Sequence, residues 1–127
     1  MSNESLHASR ERLSSHALKL HHALVSLMEE LDAIDSYRQR VDNVEDETLK
    51  GLLLHNMREE MEHAAMLLEW IRRTDSDFAG PMKTYLFTEK PILAIETAEE
   101  AKSAGVAPRP APAAEGFTIG RLDREER

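Results

Sequence analysis

The sequence predicts an all-α fold: a long antiparallel two-helix hairpin followed by a short third helix. Three observations carry this. Apolar residues fall at Leu13, Ala17, Leu20, Leu24, Leu27, Leu31 and Ile34, in alternating steps of four and three, which is the spacing of a helical packing seam. After a short polar interruption the same spacing returns in two stripes, one holding Leu49, Leu53, Leu67 and Trp70, the other Leu54, Met57, Met61, Ala64, Leu68 and Ile71. Charged residues make up 31% of the chain and aromatics 5%, a mix that suits helices with aliphatic seams and charged outer faces.

Taken in order, the first helix is expected from about residue 5 to about residue 40, roughly 50 Å at ~1.5 Å per residue. The segment VDNVEDE then interrupts it. Asp42, Asn43 and Asp46 are cap formers, and Glu45 and Glu47 favour the positive end of a following helix dipole. The second helix is expected from about 45 to 73, with Arg72 and Arg73 at its negative end. So short a connection makes the two helices antiparallel neighbours. The stretch DFAGPMKTYLFTEKP follows, where Gly80, Pro81 and Pro91 are expected to break regular structure. Pro91 opens a short third helix, PILAIETAEEAK. Residues 104–116, AGVAPRPAPAAEG, read as an extended Ala/Pro linker able to reach ~40 Å at ~3.1 Å per residue. The expected organisation is therefore a helical domain over 1–103, a linker over 104–116 and a terminal peptide over 117–127.

Composition excludes several function classes. The chain has no cysteine, so disulfides, iron–sulfur clusters and thiolate metal sites are ruled out, and a reducing cytoplasm fits. A formal charge of −8 disfavours nucleic acid and favours cations as partners. The longest apolar run, Ala64 to Leu68, is too short to cross a bilayer, so no membrane partner is expected. The opening MSNESLHASRERL lacks the apolar core of a secretory signal.

A hairpin partner covers one of the second helix's two apolar stripes. The other predicts association, most simply two hairpins forming a four-helix bundle, with larger rings as an extension. A third segment folded back over the second stripe is the alternative.

The first stripe of the second helix contains the chemistry. In full it reads Leu49, Leu53, Asn56, Glu60, His63, Leu67, Trp70, with apolar ends and a polar centre. A carboxylate in a packing seam costs several kcal/mol unless compensated. Glu30, at the edge of the first helix's seam between Leu27 and Ile34, is a matching group. Counted from the expected loop, Glu30 and Glu60 differ by about a turn, ~5–8 Å along the axis. A carboxylate on one helix facing Glu-x-x-His on another is half of a di-iron carboxylate site. Two chains about a twofold axis would supply both halves. Carboxylates and imidazole suit divalent iron, manganese or zinc, and a carboxylate can bridge two ions ~3.5–4 Å apart. A Glu–His hydrogen bond or an Arg-paired polar layer that sets helix register is the alternative reading.

Other polar residues say less. Glu29 and Asp32 share a face beside Val25, as an outer cation site or a solvated surface. Tyr37 lies two turns from Glu30, in reach of a redox role or of simple packing. His16, His21, His22 and His55 read as ordinary polar histidines, with metal binding as the alternative, and Met57, Met61 and Met66 read as interface packing rather than as ligands.

Three segments in order, SLMEELDAIDSYRQRVD (26–42), LLHNMREEMEHAAMLLEWIRR (53–73) and TYLFTEKPILAIE (84–96), resemble the encapsulated ferritin family, over about residues 13–100. The tail FTIGRL, with Phe117, Thr118, Ile119, Gly120 and Leu122, is similar to peptides that dock cargo inside encapsulin shells. The resemblance implies a two-helix half-ferritin that dimerises into a ferritin-like four-helix bundle and assembles as an annular decamer. It implies a ferroxidase with a di-iron centre at a dimer interface, held in the lumen of a cytoplasmic encapsulin nanocompartment. By position it assigns Glu30, Glu60 and His63 as iron ligands, Glu29 and Asp32 to an acidic metal-access site and Tyr37 to the nearby tyrosine. Calcium, manganese or zinc are other candidates at these sites. Two departures stand out: Ser36 replaces the common tryptophan beside the tyrosine, and Asp32 replaces a glutamate. A non-enzymatic helical oligomer, or a metal-binding adaptor with a structural polar layer, is the competing function.

Overall fold

The structure is a computed structural model that describes residues 6–105. The expected linker over 104–116, apart from its first two residues, and the expected terminal peptide over 117–127 lie outside the described residues. Among the described residues all regular structure is helical. A 3-10 turn at Arg10–Arg12 precedes α1 (Ser15–Asn43), α2 (Glu47–Thr74), α3 (Ser76–Tyr85) and α4 (Ile92–Ser103). No helix among these residues is long and apolar enough to cross a membrane. The chain divides into two units, residues 1–82 and 83–127.

The first helix starts ten residues later than expected, at Ser15. Ser14 adopts an extended conformation and its hydroxyl accepts a hydrogen bond from the Ala17 backbone N–H at 2.9 Å. That cap satisfies one of the donors a helix start leaves open, and it ends any continuation toward residue 5. Asp46 caps α2 in the same way, accepting from the Leu49 N–H at 3.0 Å. Both helices therefore shift toward the C-terminus relative to expectation, and α1 is ~43 Å long rather than ~50 Å.

α3 is a correction. Gly80 and Pro81 were expected to break the chain, yet both lie inside a helix. The residue before a proline is normally driven from helical geometry by its own Cβ. Glycine has none, so Gly80 removes that clash, and the cost falls to the donor Pro81 lacks. α4 follows Pro91, which occupies the cap position, and its first carbonyl bonds come from Ala94 and Ile95 at 3.0 and 3.1 Å.

The hairpin core is built on the second of the two apolar stripes. Met57, Ala64 and Ile71 on α2 are buried, with Ile71 completely inaccessible. Ala23 and Leu27 of α1 join Ala64 and Ile71 in one cluster, with Leu20, Leu24, Ile34, Leu67 and Leu68 packed around it. Leu31, expected in the α1 seam, is instead 52% exposed. The helix turns ~100° per residue, so with Glu30 directed at α2, Leu31 must face away. His16 of α1 and Asp75 beyond α2 close the open end with a 3.0 Å hydrogen bond.

Candidate metal centre

Glu30, Glu60 and His63 meet on one face of the hairpin. One ligand atom from each lies within 4.8 Å of the others. His63 Nδ1 stands 3.3 Å from Glu60 Oε1 and 3.6 Å from Glu30 Oε1. Helical geometry makes the first contact local, since residues three apart share a face. The second depends on register. Glu30 lies thirteen residues before the end of α1 and Glu60 thirteen after the start of α2. The turn of offset expected from the sequence is thus removed by the end of α1 at Asn43 and the start of α2 after the Asp46 cap.

The three side chains are half-buried, with 24%, 25% and 43% of their surfaces exposed for Glu30, Glu60 and His63. They are not sealed in the seam, as the sequence suggested. They line a surface that continues along α2 through Asn56 and Leu53 on one side and Leu67 and Trp70 on the other.

The electrostatics are those of a shared proton. The Glu30 carboxyl is held above its ordinary value, first by its hydrogen bond to Glu60, then by burial and the Glu60 charge. Glu60 is held below its ordinary value, first as the acceptor of that bond, with His63 assisting. Desolvation pulls the His63 imidazole down. The hydrogen bond to Glu60 and the charges of Glu30, Glu60 and Glu59 outweigh it, and the net shift is upward. Two carboxyl groups and an imidazole this close satisfy one another by keeping protons. A divalent cation in their midst would replace those protons with a stronger partner, and two carboxylates plus one imidazole are hard-to-borderline ligands suited to Fe(II), Mn(II) or Zn(II).

The other sequence candidates sit apart from this cluster. Glu29 is exposed and lines a cavity of about 400 Å³ with Arg10, His21, His22, Val25 and Ser26. Asp32 is exposed on α1. Tyr37 is two turns along α1 from Glu30, and the Arg40 guanidinium lies over its ring, 5.5 Å from the centroid. The sequence reading did not anticipate a groove of about 370 Å³ beside the cluster, formed by Lys19, His22, Ala23 and Ser26 of α1 with Leu67 and Trp70 of α2. The signal was present: once α1 and α2 are aligned by Glu30 and Glu60, these residues fall at one level.

Comparison with known proteins adds the lineage. Residues 5–89 match the EncFtn-like protein family. An encapsulated ferritin-like protein of Rhodospirillum rubrum is 52% identical over 100 residues, 79% of this chain and 71% of that protein. An encapsulin nanocompartment cargo protein, EncC, of Myxococcus xanthus is 36% identical over 100 residues, 75% of this chain and 77% of that protein. The crystal structure of protein ne0167 from Nitrosomonas europaea superposes with a TM-score of 0.66 at 51% identity, covering 69% of this chain and 97% of that one. With two-thirds of its length matched, this all-α chain belongs to the encapsulated ferritin-like (EncFtn-like) family.

Proposed function

We propose that the protein is a ferroxidase, oxidising Fe(II) to Fe(III) at a di-iron site formed between two chains and releasing iron for mineral storage inside an encapsulin shell. The Glu30, Glu60 and His63 cluster carries the reading. Three ligand atoms from one chain are half of what two ions need, and the cluster opens onto an exposed face rather than a closed core. Two copies would bring four carboxylates and two imidazoles together. Four negative charges balance two Fe(II), and the same oxygen-rich set tolerates Fe(III). The iron is substrate: each Fe(II) gives up one electron, and O₂ takes two electrons and two protons to leave peroxide, or peroxide takes two of each to leave water. Glu30 and His63 bind, Glu60 binds or bridges, and Glu30 and His63 shed the protons they share with Glu60 as iron enters.

Glu29 and Asp32 act as an acidic access site, and Tyr37, two turns along α1 from Glu30, takes the redox role. Met28, Leu31 and Met61 leave a second apolar face exposed on the other side of the hairpin. Two faces, each paired about its own twofold axis, close into a ring of dimers, and a decamer fits the family. The relatives' names speak of encapsulation and cargo. On that ground Phe117, Thr118, Ile119, Gly120 and Leu122 are the docking peptide for an encapsulin shell, and the protein resides in the lumen of that cytoplasmic compartment.

Aerobic addition of Fe(II) to the full-length protein tests the catalytic reading. Glu30→Ala, Glu60→Ala and His63→Ala are each expected to lose most of the oxidation rate, and equal rates across all four proteins would end it. Deleting residues 117–127 should abolish co-purification with a shell while leaving oxidation in solution intact.

A second reading has its own support. The three groups already hydrogen-bond one another, so a metal-free polar layer that fixes helix register is self-consistent. It expects chelators to leave assembly unchanged and the protein to add nothing to the uncatalysed rate of Fe(II) oxidation.

A further inference from the structure

The N-terminal segment builds a cavity that the metal centre does not use. Leu6 and Arg10 precede α1, yet they line a space of about 400 Å³ together with His21, His22, Ser26 and Glu29, which stand on the second to fourth turns of that helix. The segment therefore runs back along α1 rather than away from it. Val25 lines the same cavity. It is buried although it stands outside the core cluster of the hairpin, and half-buried Leu6 is the apolar residue that the returning segment brings to it.

Charge is divided along this cavity. Acidic residues are 24 of the chain's 127, yet none stands between Arg12 and Glu29. Glu29, Glu30, Asp32 and Asp35 then follow one another closely. Arg10, His21 and His22 supply N–H donors and Ser26 a hydroxyl, while Glu29, ~12 Å along α1 from His21, supplies the carboxylate. The His21 and His22 rings are 5.8 Å apart between centroids, so both imidazoles converge on the basic end. Lys19 edges the adjoining groove, which shares His22 and Ser26 with the cavity, and adds a further positive charge there.

A bare cation does not fit this arrangement. Among the described residues only Glu30, Glu60 and His63 bring three ligand atoms within 4.8 Å of one another, so His21, His22 and Glu29 form no coordination sphere. The volume is also that of a small-molecule site. A free anion is opposed by Glu29. An anion that carries a cation satisfies both ends: its oxygens accept from Arg10, the imidazoles and Ser26, and its metal ion meets Glu29. We infer that the cavity binds a small polycarboxylate, of the size and charge of citrate, with a divalent cation chelated to it. The inference rests on the reading of Glu29 as a metal-access residue and adds the form in which the metal arrives. The anion is held at Arg10 while the ion is presented to Glu29, the neighbour of Glu30 on α1.

Calorimetric titration of the full-length protein with citrate, alone and loaded with Mg(II), tests this, with Mg(II) alone as the blank. Mg(II) is a hard ion that an imidazole-containing cluster disfavours, so the signal reports the cavity. Citrate should bind, and its Mg(II) complex several-fold more tightly. Arg10→Ala should weaken both ~10–100-fold through the loss of charge-assisted hydrogen bonds, and Arg10→Lys should retain part of the affinity. Glu29→Gln carries the sharper sign. It removes a like charge, so free citrate should bind more tightly than to wild type, and the advantage of the Mg(II) complex should vanish. Absence of citrate binding, or binding indifferent to both Arg10→Ala and His22→Ala, overturns the inference. Inorganic phosphate bound as tightly as Mg(II) citrate overturns it in favour of a plain oxyanion site. In Fe(II) oxidation, Arg10→Ala should raise KM for Fe(II) citrate with kcat unchanged, and should leave uncomplexed Fe(II) oxidised at the wild-type rate. Citrate binding in a protein that oxidises no iron leaves the cavity standing and refutes the ferroxidase reading instead. Oxidation dependent on Glu30, Glu60 and His63 in a protein that binds no citrate does the reverse.

Discussion

Metal binding at the cluster should compete with protons, and the slope follows from the geometry. Glu30 keeps its carboxyl proton above the ordinary value because it donates to Glu60, and His63 titrates above 6.5 because Glu60 and the neighbouring charges hold its proton. A metal ion requires both groups unprotonated. Below the pKa of one such group the apparent affinity falls about tenfold per pH unit, and below two of them about a hundredfold. For His63 alone, a pKa at the unshifted value gives an overall loss of about tenfold between pH ~7.5 and ~5.5, and every upward shift enlarges it. Glu30 steepens the acid end. Zinc avoids oxidation during the measurement, so calorimetric titration with Zn(II) in buffers of different ionisation enthalpy reads both affinity and protons released. His63→Ala should bind more weakly and with a flatter pH slope. Wild-type affinity that is unchanged across this range, or a His63→Ala slope equal to wild type, would refute the shared-proton account. The metal-free protein should show the opposite sign. The raised folded-state value at His63 favours the folded form at low pH, and that contribution, complete below 6.5, is lost as pH rises through its folded value, while the raised Glu30 and lowered Glu60 values oppose each other at the acid end.

Three further outcomes test the fold that positions the site. Ile71→Ala empties a fully buried position between the helices and should cost ~2–5 kcal/mol in denaturant unfolding, with iron oxidation impaired only as far as the hairpin opens. Asp46→Ala removes the cap that sets the start of α2 and should cost ~1 kcal/mol, while Asp46→Asn should be close to neutral. Phe87 has φ 62° just past α3, a left-handed position where helix ends favour glycine, and its side chain is fully exposed. Phe87→Gly relieves ~1–2 kcal/mol of steric cost against ~0.5–1 kcal/mol of added chain entropy, so a small gain in stability is expected by thermal unfolding.

The candidate site was more legible in the sequence than the helix ends that place it. Glu60 and His63 announce themselves because a polar gap in an apolar stripe needs a partner, and Glu30 sits opposite on the matching seam. What periodicity does not encode is where a helix stops. Leu13 keeps the spacing going one residue beyond the Ser14 cap, so the seam gives no sign that the helix stops there and that residues 10–12 form a separate 3-10 turn. Leu31 matched the step of four from Leu27, but the seam there is occupied by Glu30, one residue and a third of a turn away. Gly80 and Pro81 each read as breakers alone. Together they coexist with a helix because the glycine removes the clash the proline would impose. The tie between His16 and Asp75 joins residues fifty-nine apart in sequence, and no local pattern announces it.

The division of work between the two stripes of α2 explains why the site can be polar at all. If Glu60 and His63 lay on the stripe of Met57, Ala64 and Ile71, the hairpin would bury two ionisable groups in its own core, at a cost of several kcal/mol each. They lie instead one residue around the helix, where a single chain leaves them half exposed and able to satisfy each other with shared protons. The hairpin core is therefore wholly apolar, and on the proposed reading the polar stripe is left for assembly. Closing a second copy over that stripe would bury four carboxyls and two imidazoles together, which is unfavourable unless the protons are kept or cations replace them. Assembly and divalent ions are thus expected to favour each other. In analytical ultracentrifugation, Zn(II) should shift wild type toward dimer or ring at pH ~7.5 and do so less in Glu60→Ala, where one carboxylate per chain no longer needs neutralising. Metal-independent assembly of wild type and variant alike would mean that the apolar ends at Leu53 and Trp70 carry the association by themselves.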